Sequence, residues 1–305
     1  MTKWTTEKIP PQQGRSAIVT GTGGLAYEDA LALARAGASV VIAGRNPEKG
    51  ADAVAAIKAV MPEAQVRFGL LDLARLASVA EFAARIAREQ NSLDILINNA
   101  GVMTPPQRFE TSDGFELQFG TNYLGHFALT AHLLPLLKAG KKPRVVTVGS
   151  IASRRGAINF DDLQAERDYR PMQVYAQSKL ACEMFALELG RRSEAAGWGI
   201  QSMGAHPGLS RTGLLYNAPG RPRLAIFVLR RLFRLMFQSA AQGALPTLFA
   251  ATDPAARNGA YYGPDGFGGA RGFPTAEKSP VRALDTAVAA RLWEESLQLV
   301  NVTFA

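Results

Sequence analysis

The chain has 305 residues, a net charge of +8, 47% hydrophobic and 20% charged residues, and one cysteine. A single cysteine excludes an intrachain disulfide and fits a reducing compartment. The composition is ordinary for a soluble globular enzyme; the excess charge lacks the dense Lys/Arg tract of a nucleic-acid binder, and no apolar run reaches the ~20 residues of a spanning helix.

Residues 1–15 are polar, contain two prolines and lack the apolar core of a signal peptide. They read as an N-terminal extension, and a cytoplasmic location is expected. From Ser16 the chain alternates short β-branched runs with helical patterns. Ser16 to Thr20 predicts a strand, followed by a helix closed by Gly37. Ser39 to Gly44 predicts a second strand, and Asn46 then caps a helix with Pro47 at its first position. Further strands are expected in "QVRFGLL", "LDILIN", "RVVTVGS" and "IQSMGAH", separated by helices over Leu73 to Glu89, Asp113 to Lys138 and Tyr175 to Glu194. Two more helices are expected near Ser239 to Thr252 and Val281 to Val300, with "AYY" as a short last strand between them.

The strands are apolar without strict alternation, as burial on both faces requires. Strand–helix alternation predicts one α/β domain over 16–305: a doubly wound parallel sheet with right-handed crossovers and helices on both faces.

Ligands of such sheets bind at the strand carboxyl ends. The first strand runs into Gly21-Thr22-Gly23-Gly24-Leu25, where glycines and a helix start suit a pyrophosphate. At the end of the second strand the acid that would bind a ribose hydroxyl is missing. Arg45 stands there instead and suits a 2′-phosphate, so NADP(H) is expected over NAD(H). Asp72 and Leu73 follow the third strand, and Asn99, Ala100 and Gly101 the fourth. Each is a place for a cofactor contact, or for a turn or helix cap.

Tyr175 and Lys179 are four apart at a helical spacing and share a face. A tyrosine exchanges protons near neutrality only with help, and a nearby ammonium provides it. Ser150 ends the fifth strand, where its hydroxyl could hold a substrate oxygen.

In order, the glycine turn, Asp72, "NNAG", "NYLGHF", "VGS", "YAQSK" and "HPG" resemble the short-chain dehydrogenase/reductase family over roughly Ser16 to Tyr262. The resemblance implies a Rossmann fold of about seven strands and a tetrad of Asn122, Ser150, Tyr175 and Lys179. Asn122 would shape its helix and hold a relay water. Ser150 would orient the carbonyl, Tyr175 would exchange the proton, and Lys179 would bind the nicotinamide ribose. Pro207, Gly208 and Thr212 would lie near the nicotinamide. "SDGFELQFGTNYLGHFALT" and the long interval from Ser150 to Tyr175 are similar to the retinol dehydrogenase-like branch, which implies a lipophilic carbonyl or alcohol substrate. Family members often form dimers or tetramers through the helices containing Asn122 and Tyr175.

One motif departs from the family. The pattern TGxxxGxG is "TGTGGLA" here: one residue shorter, with Ala26 for the last glycine. That predicts altered cofactor binding and leaves a second reading, a dinucleotide-binding sensor or scaffold with little catalysis. Residues 209–238 are expected to cover the substrate. Arg223, Arg230, Arg231 and Arg234 interleave there with apolar residues, so 223–237 suits a lid or a helix on an anionic membrane surface, the lid being favoured. No metal site is expected from His126, His132 and His206. His126, His132 and Cys182 are expected to pack within helices.

Overall fold

The computed structural model describes residues 3–210 and 237–304. Its strands are β1 (Ser16–Thr20), β2 (Ser39–Gly44), β3 (Val66–Leu70), β4 (Ile95–Asn98), β5 (Arg144–Val148), β6 (Gln201–Ala205), β7 (Tyr261–Gly266) and β8 (Arg271–Glu277). They form one 8-stranded sheet in the order β3-β2-β1-β4-β5-β6-β7-β8. All neighbours are parallel except β7 and β8, which are antiparallel. The expected count of about seven is therefore corrected by one edge strand. The chain leaves β1 toward β2 on one side and returns to β4 on the other, so the switch point opens between β1 and β4.

Both sheet faces are covered. Helices α1 (Leu25–Arg35), α2 (Pro47–Val60) and α7 (Ala240–Thr252) pack with Val19, Ile97 and Val146 on one face. Helices α3 (Leu76–Glu89), α5 (Gly125–Lys138), α6 (Pro171–Ala196) and α8 (Thr286–Val300) pack with Ile18, Leu96 and Val145 on the other. Asn46 caps α2 as expected, its Oδ1 accepting from Lys49 N at 2.9 Å.

Four helix starts differ from expectation: α6 begins four residues early, at Pro171, and α8 begins at Thr286 after a 3-10 turn over Val281–Leu284; in the other two a side chain has other work. Asp72 Oδ1 accepts from Ala74 N at 3.0 Å, so a turn occupies 72–74 and α3 begins at Leu76. Asp113 does not open its own helix. Its Oδ2 accepts from Leu76 N at 2.9 Å and so caps α3 from a distance. The helix placed there instead starts as α4 (Leu117–Phe119), widens into a π turn over Gly120–Leu124, and continues as α5.

The N-terminal extension lies on the body of the fold. Trp4 is buried, donates Nε1 to Asp253 Oδ2 at 2.7 Å and meets Phe249 edge-on. Among the described residues, no helix is long and apolar enough to cross a membrane.

Candidate functional site

The carboxyl ends of β1 and β4 are stitched together by one hydroxyl. Thr20 Oγ1 accepts from Asn99 N at 2.9 Å and Ala100 N at 3.0 Å, while Asn99 Nδ2 donates to Thr20 O at 3.0 Å. Asn99 and Ala100 are thereby fixed beside the glycine turn. Gly21 has φ +106°, which favours glycine, and a Cβ there would stand 3.0 Å from both Ala26 Cβ and Asn99 Nδ2. Ala26 in place of the family's glycine is accommodated and fully buried.

The shortened turn still delivers a helix N-terminus. Gly24 caps α1 at φ 58°, and the first helical bond runs from Glu28 N to Gly24 O. The amides of Leu25, Ala26 and Tyr27 thus have no partner within the helix. Space beside Gly23 is open: a Cβ there would meet no heavy atom within 4 Å. These features fit a dinucleotide's pyrophosphate. Thr22 lies against Gly44 at the end of β2, next to Arg45. The Arg45 side chain is exposed and, among the described residues, makes no hydrogen bond or ion pair, leaving it available to a phosphate.

Asp72 and Leu73 sit at the end of β3, turned partly to structural ends. Asp72 N donates to Ser78 Oγ at 3.0 Å, and Leu73 belongs to the core beneath α5.

Asn122 lies in the π turn, a distortion that often marks functional positions. Its side chain is fully engaged: Oδ1 accepts from Val102 N at 2.7 Å, and Nδ2 donates to Val102 O and to Ser178 Oγ, each at 3.0 Å. Ser178 Oγ in turn donates to Tyr175 O at 2.9 Å. This chain joins the loop after β4 to the first turns of α6. Lys179, one turn beyond Tyr175, donates Nζ to Val148 O at 2.8 Å at the end of β5. A Cβ on Gly101 would come within 3.8 Å of Lys179 Nζ and 2.9 Å of Asn122 Oδ1, so β4, β5, the π turn and α6 converge there. Ser150 follows Val148 by two residues and caps the 3-10 turn Ile151–Arg155, its Oγ accepting from Ala152 N at 3.2 Å. Tyr175, Lys179 and Asn122 are all buried.

Two groups in this network escaped sequence reasoning. Ser178 is one. His126, expected only to pack, is the other. Its Nδ1 lies 2.8 Å from Asn122 O and its Nε2 2.9 Å from Thr20 Oγ1. A carbonyl can only accept, so Nδ1 carries the proton and Nε2 accepts from the threonine. Burial, followed by the nearby Lys179 charge, outweighs the Asn122 hydrogen bond and pushes the His126 pKa down to about 4, which keeps the ring neutral. His126 thus ties the glycine turn to Asn122. Its position four residues after Asn122, on one helix face, was the available signal. His132, by contrast, is exposed rather than packed. Cys182 is buried as expected, its Sγ donating to Asn122 O at 3.2 Å. Among the described residues, no three His, Cys, Asp or Glu side chains gather as a metal site.

At the end of β6, Pro207 O accepts from Ser210 Oγ at 2.6 Å and from Gln238 Nε2 at 2.7 Å. Ser210 and Gln238 also form a parallel bridge with one another beside Pro207. Of the expected lid over 209–238, residues 211–236, Thr212 included, lie outside the described residues.

The sequence profile for short chain dehydrogenases matches residues 15–219. The chain is 42% identical over 299 residues to polyprenol dehydrogenase of Mus musculus, spanning 96% of this chain and 86% of that protein. It is 40% identical over 294 residues to retinol dehydrogenase 13 of Homo sapiens, spanning 95% and 85%. An uncharacterized protein of Mycobacterium paratuberculosis, known from its crystal structure, has the same fold with a TM-score of 0.81 at 38% identity, spanning 100% of both chains.

Proposed function

Since this chain belongs to the short-chain dehydrogenase family, we propose that it is an NADP(H)-dependent oxidoreductase interconverting a carbonyl and an alcohol on a lipophilic small molecule. The observation that carries this reading is the hydrogen-bonded path from Val102 through Asn122 and Ser178 to Tyr175, with Lys179 anchored on Val148 O. It leaves a phenol and an ammonium on one face of α6, next to the strand end that leads into Ser150.

When bound, the nicotinamide supplies or accepts the hydride. The chain's own residues do the rest. Tyr175 gives its hydroxyl proton to the carbonyl oxygen in reduction and takes it back in oxidation. Ser150 hydrogen-bonds the same oxygen and orients it. Lys179 would hold the ribose and contributes positive charge on the face of Tyr175. Asn122 is a fixed joint that sets the height of α6. Gly21, Gly23, Gly24 and Leu25 would seat the pyrophosphate, with Asp72, Leu73, Asn99, Ala100 and Gly101 along the cofactor. Pro207, Gly208 and Thr212 would face its nicotinamide end. Arg45 would pair with the 2′-phosphate, which underlies the preference for NADP(H).

The substrate class rests on the two relatives, named for polyprenol and retinol. Residues 209–238, rooted at Pro207, are the candidate cover for such a substrate.

Tyr175→Phe tests the reading directly. With NADPH and a panel of long-chain aldehydes, and with polyprenol and retinol in the reverse direction, kcat should fall by about 10²–10⁴ while NADPH binding, read by fluorescence titration, stays near wild type. Turnover at the wild-type rate in this variant would remove Tyr175 from the reaction. The short turn favours one other reading, a protein that binds the dinucleotide without turnover. Tight NADPH binding with no reaction across the panel would establish that instead.

A further inference from the structure

The edge hairpin of β7 and β8 reaches back to both sides of the proposed site. Glu277, the last residue of β8, is its contact point. Its Oε2 lies 3.0 Å from His206 Nε2 and 2.9 Å from Arg154 Nη2. The Glu277 side chain is 12% exposed and His206 only 1%. His206 precedes Pro207 and Gly208; Arg154 lies in the 3-10 turn that Ser150 caps.

The details show a purpose-built fit. His206 Nδ1 accepts from Gly208 N at 3.1 Å, so Nε2 bears the proton and faces the carboxylate. The ring N–H lies off the ideal hydrogen-bond line, so the neutral ring meets the carboxylate through its N–H dipole at close range. The His206 ring also stacks on Tyr261 of β7 at 5.5 Å. Room for the carboxylate comes from absent side chains: a Cβ on Gly263 or Gly269 would stand 2.4 or 2.6 Å from Glu277 Oε1. The backbone follows the same plan. Leu209 N donates to Ala270 O at 2.7 Å, and Arg154 Nη1 donates to Gly268 O at 2.8 Å.

We infer that Glu277 is a positioning residue: through His206 and Arg154 it fixes the loop at 206–208 and the turn after Ser150 relative to one another. Resting on the oxidoreductase reading above, this sets the distance between the substrate oxygen at Ser150 and the nicotinamide end at Pro207 and Gly208. The two segments come from different strands, β5 and β6. Parallel pairing aligns those strands up to Val148 and Ala205, and the segments beyond are held by side chains and the hairpin.

The other ionisable groups around this joint are Glu183 and Tyr261. Glu183 accepts from Ser153 Oγ at 2.8 Å, within the same 3-10 turn. Burial raises the pKa of both groups.

The test combines hydrogen exchange and kinetics on the full chain. Glu277→Gln keeps the shape and removes the charge. It should speed amide exchange by about tenfold or more in both 151–156 and 206–210. Arg154→Gln, at a surface-reaching side chain, should loosen 151–156 alone. With NADPH and an aldehyde turned over by wild type, kcat of Glu277→Gln should fall by about 10- to 100-fold, with the NADPH dissociation constant moving by less than about threefold. Glu277→Asp, which keeps the carboxylate, should recover part of that loss; should Glu277→Gln not fold, Glu277→Asp and Arg154→Gln carry the same comparisons. Wild-type exchange at both segments, or an unchanged kcat, overturns the inference. If wild type neither binds NADPH nor turns over any substrate, the oxidoreductase reading fails, and the two-segment exchange pattern still decides whether Glu277 joins them.

Discussion

Asp29 sits in α1 with no exposed surface, and among the described residues neither carboxylate oxygen has a hydrogen-bond partner. Burial, reinforced by the neighbouring Glu28, holds its pKa well above the usual carboxylate range. The folded chain therefore keeps a proton that the unfolded chain releases above about pH 4. Stability is fully present below that value and is lost as pH rises toward the folded pKa. Asp29→Ala should raise the unfolding free energy at pH 7 by about 1 kcal/mol by removing an unsatisfied buried group, and the gain should shrink on acidification to pH 4. Urea titrations at both pH values check this; a lower midpoint for the variant at pH 7 would contradict it. Arg45 makes a second prediction at this scale. Arg45→Ala should weaken NADPH binding by about tenfold or more, the worth of one charge-assisted hydrogen bond, and leave NADH binding unchanged. Equal losses for both cofactors would place the 2′-phosphate elsewhere.

Helix α8 is the element that closes the α5–α6 face. Trp293 is buried against Phe127 of α5 at 5.0 Å and Phe185 of α6 at 5.8 Å, and Tyr123 hydroxyl and Ser296 Oγ meet at 2.7 Å. Trp293→Ala should lower stability by about 3–5 kcal/mol through the cavity it leaves, seen as a fall in the urea midpoint. Helices such as this, and strands β1 to β6, were legible because apolar and β-branched residues recur at the period of their element. The hairpin was half legible. "AYY" marks β7, but β8 reads Arg-Gly-Phe-Pro-Thr-Ala-Glu, which looks like a turn. It can be a strand because it lies at the sheet edge, where Pro264 faces Pro274 and a missing N–H is tolerated. The candidate site can be read from the sequence in the same uneven way. Tyr175, Lys179 and Ser150 stand out by spacing and strand ends. Ser178, His126 and Glu277 act through tertiary contacts that no local pattern announces, Glu277 lying 71 residues past His206 in the chain.

At the scale of the whole molecule, α8 bears on association. The helices containing Asn122 and Tyr175, through which family members pair, carry α8 and Phe304 across their outer surface here, with Phe304 packed on Phe127 and Trp293. A dimer through that face would have to expel a core tryptophan. The chain of 32.7 kDa should therefore not pair through that face while α8 stays in place; a sedimenting species of twice that mass that persists with Trp293 still buried, read by its fluorescence, would show that another face is used. The pinch at Ser210 and Gln238 has a different consequence. Leu209 O accepts from Gln238 N at 2.9 Å, so the sheet and its loops close on themselves before and after 211–236. A parallel bridge of this kind needs a return path of about a dozen residues or more, and each doubling of that path adds only about 0.6 kcal/mol of closure entropy. Ser210 and Gln238 are therefore two anchor points that the scaffold itself holds together, whatever chain joins them.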